Sequence, residues 1–271
     1  MPSYLESAID IAREAGALLA HSFERRPAFE YKGDFDLVTE ADRASEQLVI
    51  ERLRSYFPSH DILGEESGLH DSSSDYRWYV DPLDGTTNFA HGFPQYAVTM
   101  GLEHQGELVC GVIFDVERRE MFAAERGGGA FLNGRRIRVS QVARLEESLM
   151  ATGFPSRKRH ASINVHFFHQ ISMVTHGVRR PGSAALDLAY VACGRLDGFW
   201  EFSLNPWDIA AGVLLVREAG GTVTGMRGEA LNLRDPATLL ADNTQIHAGL
   251  LELIGDVWAG RYRYPLPGVT G

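Results

Sequence analysis

The chain has 271 residues, 44% of them apolar, and sets 26 Lys plus Arg against 36 Asp plus Glu, a net charge of −10. That length buries a core for one large domain or two modest ones, and so acidic a surface repels nucleic acid and anionic membranes. No basic-then-apolar leader opens the sequence and no apolar run approaches about 18 residues, so a soluble cytoplasmic protein with no membrane attachment is expected.

In chain order, Ser3-Tyr4-Leu5-Glu6 has capping-box spacing, and Leu5, Ala8, Ile9, Ala12, Ala15, Leu19 and Phe23 follow at helical intervals. This predicts an amphipathic helix over 4–23. Thr39-Glu40-Ala41-Asp42 begins a second helix, which Phe57-Pro58 ends. A short strand, Asp61 to Gly64, runs into Glu65-Glu66, and the Ser-rich stretch from Ser67 to Asp75 predicts a loop. A strand over 77–81 is expected to stop at Asp81 and bend through Pro82. Residues 96–139 alternate with Gly punctuation, and Asn133-Gly134 signals a hairpin, so this region reads as an antiparallel meander.

After Ser140 the pattern changes. Strands near 148–152, 177–180, 196–202, 221–225 and 238–241 alternate with helices near 157–175, 183–193, 206–219 and 244–256, which argues for a layered α/β unit. The expected division is an N-terminal α+β half, 1–142, and a C-terminal α/β half, 143–271. The two cysteines, Cys110 and Cys193, sit in apolar contexts without metal-ligand spacing and read as buried thiols of a reducing compartment.

The chemistry concentrates in Asp81-Pro82-Leu83-Asp84-Gly85-Thr86-Thr87-Asn88-Phe89. Acids at a strand end collect hard cations, and the N–H groups of a Gly-Thr-Thr turn collect phosphate oxygens. A second stretch, Asn205-Pro206-Trp207-Asp208, has a helix start with Asn at the cap, Pro at the first position and an acid in the first turn. Each acid has an ordinary explanation: Asp208 and Asp42 as helix caps, Glu65 and Glu66 as a solvated bend, Asp84 as a turn former. Their pattern argues otherwise. Glu65, Asp81, Asp84 and Asp208 all fall at the edges of apolar segments, and several carboxylates brought together need cations to stay ionised. All-oxygen ligands favour Mg²⁺, with Mn²⁺ as substitute, over Zn²⁺. Four carboxylates carry about −4 and a phosphate monoester about −2, so two or three divalent ions bring the sum near zero.

Competing motifs are incomplete. No P-loop and no GxSxG occurs, Gly127-Gly128-Gly129 lacks the third glycine of a dinucleotide fingerprint and lies in a hairpin region, and Asp34-Phe35-Asp36 does not continue as an EF-hand. The histidines are scattered; His160, His166 and His169 read as decoration of a helix or loop.

These motifs, with Gly64-Glu65-Glu66-Ser67, Arg179-Arg180-Pro181-Gly182-Ser183-Ala184-Ala185-Leu186-Asp187-Leu188 and Trp207-Asp208-Ile209-Ala210-Ala211-Gly212, resemble the inositol monophosphatase family over residues 5–257. The resemblance implies an α-β-α-β-α layered sandwich of the sugar-phosphatase type, a homodimer, Mg²⁺ as cofactor and inhibition by Li⁺. By position it implies Glu65, Asp81, Asp84, Asp208 and the Leu83 carbonyl as metal ligands. Gly85 and Thr86 are implied as phosphate contacts, and Gly182, Ser183, Ala184 and Glu201, with Asp208, as contacts to substrate. Asp42 and Thr86, with Glu65, are implied in orienting and deprotonating water, and Lys32 falls on a basic loop. The expected reaction is hydrolysis of a small phosphate monoester, inositol monophosphate first, with histidinol phosphate and fructose 1,6-bisphosphate as alternatives. A regulatory protein acting through protein or RNA contacts is the alternative of another class; its one local hint is Arg157-Lys158-Arg159-His160.

Overall fold

The computed structural model describes residues 3–25, 29–31, 37–154 and 161–265. Lys32, Asp34 to Asp36 and the basic patch 157–160 lie outside them.

Helices α1 (Tyr4–Glu24) and α2 (Glu40–Tyr56) both begin with capping boxes. The Ser3 hydroxyl accepts from the Glu6 N–H at 3.1 Å, and Glu6 accepts from the Ser3 N–H at 2.9 Å. Between the helices, β1 (Phe29–Tyr31) pairs antiparallel with β2 (Leu37–Thr39).

The N-terminal sheet has eight strands in the order β10-β9-β8-β7-β6-β5-β3-β4. They are β3 (Asp61–Gly64), β4 (Gly68–His70), β5 (Tyr76–Asp84), β6 (Ala97–His104), β7 (Glu107–Asp115), β8 (Glu120–Glu125), β9 (Gly129–Leu132) and β10 (Arg135–Arg136). Only β3 and β5 run parallel; the other pairs form the antiparallel meander. Asn133 and Gly134 have φ of 48° and 76°, the left-handed pair a tight hairpin needs. Two expectations are corrected. Part of the polar stretch 67–75 forms β4, a three-residue edge strand on β3. Strand β5 does not stop at Asp81: it continues to Asp84, with a register shift between the two acids. A bulge there accommodates Pro82, which has no N–H to give a ladder. The five-residue helix α3 (Thr86–Ala90) follows at once.

The second sheet is mixed, with five strands in the order β12-β11-β13-β15-β14. These are β11 (Leu149–Thr152), β12 (Gly177–Arg179), β13 (Gly198–Phe202), β14 (Thr222–Thr224) and β15 (Thr238–Asp242). The helices between and after them are α4 (Asn164–Val174), α5 (Ala184–Ala192), α6 (Pro206–Glu218) and α7 (His247–Trp258).

Side-chain alternation makes the layers. On β5, Trp78 and Val80 pack with Ile11, Leu19, Val49 and Leu53 of α1 and α2. Tyr79, on the opposite face, joins Leu188 and Val213 of α5 and α6. On β13, Phe199 joins that central core, while Trp200 turns outward to Phe167, Leu250 and Leu253 of α4 and α7. The result is the expected α-β-α-β-α sandwich. Helix α6 lies between the two sheets and is buried without a break from Ile209 to Val216, which is why it shows no polar face. It approaches the first sheet closely because Gly101 and Gly111 stand opposite each other on β6 and β7. A Cβ on Gly101 would meet the Ala210 Cβ at 2.6 Å, and one on Gly111 the Ala211 Cα at 2.9 Å. Among the described residues no helix is long and apolar enough to cross a membrane. Both cysteines are free, Cys110 buried and Cys193 partly so.

Candidate active site

A cavity of about 570 Å³ opens where the ends of β3, β5 and β13 meet the starts of α3, α5 and α6. Glu65, Asp84, Gly85, Thr86, Gly182, Ser183, Ala184, Glu201 and Asp208 all line it. Asp81 is 2% exposed and is not part of the lining; the charges of Glu65, Asp84 and Asp208 nevertheless act on it. Leu83, 1% exposed, offers its carbonyl to the Thr86 hydroxyl at 3.0 Å.

Hydrogen bonds fix four of the acids. Asp42, third residue of α2, takes the Thr39 N–H at 2.8 Å and the Thr39 hydroxyl at 2.6 Å on Oδ2. Its Oδ1 lies 3.0 Å from the Thr86 hydroxyl, across 44 residues of sequence. Asp208, third residue of α6, takes the Asn205 N–H at 2.7 Å on Oδ2. Asp81 Oδ1 takes the Leu83 N–H at 2.9 Å. Asp84 Oδ2 takes the Ser183 hydroxyl at 2.6 Å and the Ala185 N–H at 2.8 Å. Helix capping therefore does not exhaust Asp42 and Asp208: Oδ2 holds the helix start in each, and Asp42 Oδ1 reaches Thr86 as well.

The backbone is shaped to match. Gly85 has φ of 96°, and a Cβ there would meet the Gln95 carbonyl at 2.8 Å. The Asn88 amide donates to the Gln95 and Pro181 carbonyls, each at 2.8 Å, and so ties α3 to the loop before α5. No side chain caps α3, whose first residues face the cavity.

Electrostatically the site is overloaded with acid. Burial pushes the Asp81 carboxyl well above its usual range, and Glu65, Asp84 and Asp208 add to it. Burial does the same to Asp208, where the Asn205 N–H works the other way and Asp84, Glu65 and Glu201 raise it further. Asp84 is pushed up to about 6 by burial, against the bonds from Ser183 and Ala185. Glu201 is pushed up to about 8 by burial, which Arg180 partly offsets. Arg77, four residues before Asp81 in sequence, pairs with Asp61 at 3.0 Å.

Such a donor set fits a hard divalent cation: oxygen ligands, buried, and short of positive charge. As the side chains stand, no three of His, Cys, Asp or Glu among the described residues lie close enough together to hold an ion. The fit therefore rests on the chemistry of the donors and their shared cavity.

Five residues escape the sequence reading. Gly153 carries no role in any motif, yet a Cβ there would run into the Glu201 carboxylate. The strand end beside it is held by Asn164, whose amide donates to the Gly153 carbonyl at 2.7 Å and accepts from the Trp200 indole at 2.7 Å. Arg180 and Asp187 line the same cavity. Trp207 lines it too, and its indole N–H is buried without a partner among the described residues. The last three lay inside quoted motifs, but nothing in their spacing gave them a task.

The model of the inositol monophosphatase family matches residues 1–259. The chain is 45% identical to a Pseudomonas aeruginosa protein named Nus factor SuhB over 262 residues, covering 94% of this chain and 96% of that one. It is 44% identical to a Mesorhizobium japonicum inositol-1-monophosphatase over 251 residues, 91% and 94% of the two chains. The solved inositol monophosphatase of Anabaena superposes with a TM-score of 0.85 at 43% identity, covering 93% of this chain and 95% of that one. With fold, motifs and relatives in agreement, the chain belongs to the inositol monophosphatase family.

Proposed function

We propose that the protein is a Mg²⁺-dependent phosphatase that hydrolyses a polyol phosphate monoester, myo-inositol monophosphate foremost, as a cytoplasmic homodimer. The observation that carries this reading is the gathering of Glu65, Asp84 and Asp208 around one cavity, with the buried Asp81 beside them. These residues and the Leu83 carbonyl would hold Mg²⁺, with Mn²⁺ as substitute. When bound, such ions neutralise the carboxylates and stabilise charge on the phosphoryl and departing oxygens.

The chain's own groups account for the rest. The first N–H groups of α3, at Gly85 and Thr86, orient the phosphate. A water on the Thr86 hydroxyl passes its proton through that hydroxyl to Asp42, whose Oδ1 is 3.0 Å away. Glu65 helps to orient the same water. Glu201, with Gly182, Ser183 and Ala184, faces the alcohol part, where hydrogen bonds to hydroxyls discriminate steeply. The test is phosphate release from inositol 1-phosphate, histidinol phosphate and fructose 1,6-bisphosphate, with Mg²⁺ and with EDTA. Inositol 1-phosphate should be the best substrate and EDTA should abolish turnover; equal activity in EDTA would refute the metal assignment.

A second reading has one observation behind it: the 45% identity to a protein named Nus factor SuhB. A regulatory role through protein or RNA contacts predicts that Asp84→Asn, inactive as a phosphatase, still restores the cellular phenotype of a deletion. Loss of that rescue would make hydrolysis the function.

A further inference from the structure

Asp187 is the acid in the cavity that the helix caps and the metal-type cluster leave unexplained. It stands in the first turn of α5, 1% exposed, and lines the same cavity as Asp84 and Glu201. Its Oδ1 is buried and has no hydrogen-bond partner among the described residues. A buried oxygen left unpaired is costly, so the position calls for a partner that arrives from outside the chain.

The ordinary local tasks there are already taken. Ser183 caps α5 by accepting from the Leu186 N–H at 3.3 Å, and Asp84 takes the Ala185 N–H. Around Asp187 the chemistry is polar: Glu201 and Arg180 also line the cavity, and both act on its carboxyl. This is the side that Glu201, Gly182 and Ala184 assign to the alcohol rather than to the phosphate. A carboxyl accepts from a hydroxyl whether or not it carries its proton.

We propose that Asp187 is a specificity-determining residue: its Oδ1 accepts a hydrogen bond from a hydroxyl of the alcohol part and so favours polyol phosphates over phosphate esters of plain alcohols and phenols. This rests on the polyol-phosphatase reading above. The competing explanation is structural, an acid in the first turn that favours the α5 dipole. The two separate cleanly. A dipole role makes removal destabilising and indifferent to substrate; a hydroxyl-binding role changes the preference between substrates and relieves an unpaired buried group.

The experiment compares wild type, Asp187→Ala and Asp187→Asn with Mg²⁺ present, measuring kcat and KM on inositol 1-phosphate and on p-nitrophenyl phosphate, with melting curves alongside. The ratio of the two kcat/KM values should fall about tenfold in Asp187→Ala, mainly through KM for the polyol ester, and less in Asp187→Asn, which keeps an acceptor. The melting temperature should not fall. A ratio within twofold of wild type, or a parallel loss on both esters with a lowered melting temperature, overturns the proposal. Should Asp187→Ala fail to fold, Asp187→Leu, close in size and without an acceptor, decides by the same ratio. A wild type that cleaves only the aryl ester overturns the polyol preference and leaves the phosphatase reading standing; one that cleaves neither removes both.

Discussion

The two walls of the cavity are built on different principles. On the side proposed for phosphate, the acids in and behind the wall are anchored by local hydrogen bonds: Asp42 to Thr39, Asp208 to Asn205, Asp81 to Leu83. On the side proposed for the alcohol, Glu201 is placed by room, because Gly153 has no Cβ, and Asp187 is held with no bond on Oδ1 among the described residues. The first wall is rigid because secondary structure and site share the same bonds. The second depends on packing at a distance. Damage to the first wall should therefore appear in kcat, and damage to the second in KM and substrate choice.

The largest expected effect is from Asp84→Asn or Asp208→Asn. Either should lower kcat about 10³-fold or more, since charge next to the transferring group is worth several kcal/mol. The melting temperature in EDTA should not fall, because one of several mutually repelling acids is gone; near-normal turnover would break the division between the walls. Next is Thr86→Val, which keeps the shape and removes the hydroxyl that joins Asp42 to the cavity. We expect kcat down about 10²-fold with KM little changed. A smaller effect is expected from Gly153→Ala, which displaces the Glu201 carboxylate: KM for inositol 1-phosphate up about tenfold, with kcat for an aryl phosphate far less affected. Equal losses on both esters would erase the contrast.

The smallest effect sharpens the comparison through pH. Burial raises Asp84 to about 6 and Glu201 to about 8, above their values in the unfolded chain. Between about pH 4 and 8 the folded state thus binds more protons than the unfolded one, and its stability falls as pH rises. His60 has the opposite sign, since burial lowers it and the unfolded chain binds the proton more readily. The difference between melting curves in Mg²⁺ and in EDTA isolates the acids, because His60 contributes to both. That difference should widen from pH 5 to 8 by a few degrees; a constant difference would mean that burial does not raise these acids above their unfolded values.

What could be read from the sequence divides along the same line. Capping boxes, an apolar run ending in acids and an Asn-Gly turn are local signals, so α1, α2, β5 and the meander were visible, and with them Asp42, Asp81, Asp84 and Asp208. The end of β5 was misplaced because Pro82 reads as a terminator, whereas a bulge absorbs it. Strand β4 was hidden by its Ser-rich surroundings and its short edge pairing. Gly153 was illegible in principle: its meaning is the position of a carboxylate 48 residues later in the chain, and no local pattern encodes that.

One consequence follows from the facing pair Gly101 and Gly111. Two bare hydrogens serve as the spacer between sheet and helix, and that spacer sets how deep the first turn of α6 sits. A single methyl at either position would act as a shim, lifting the helix and carrying Asp208 away from the other acids. Catalysis in this molecule is thus exposed to changes in a dry interior seam where no substrate ever comes, and a variant there would present as an enzyme with every active-site residue intact and little turnover.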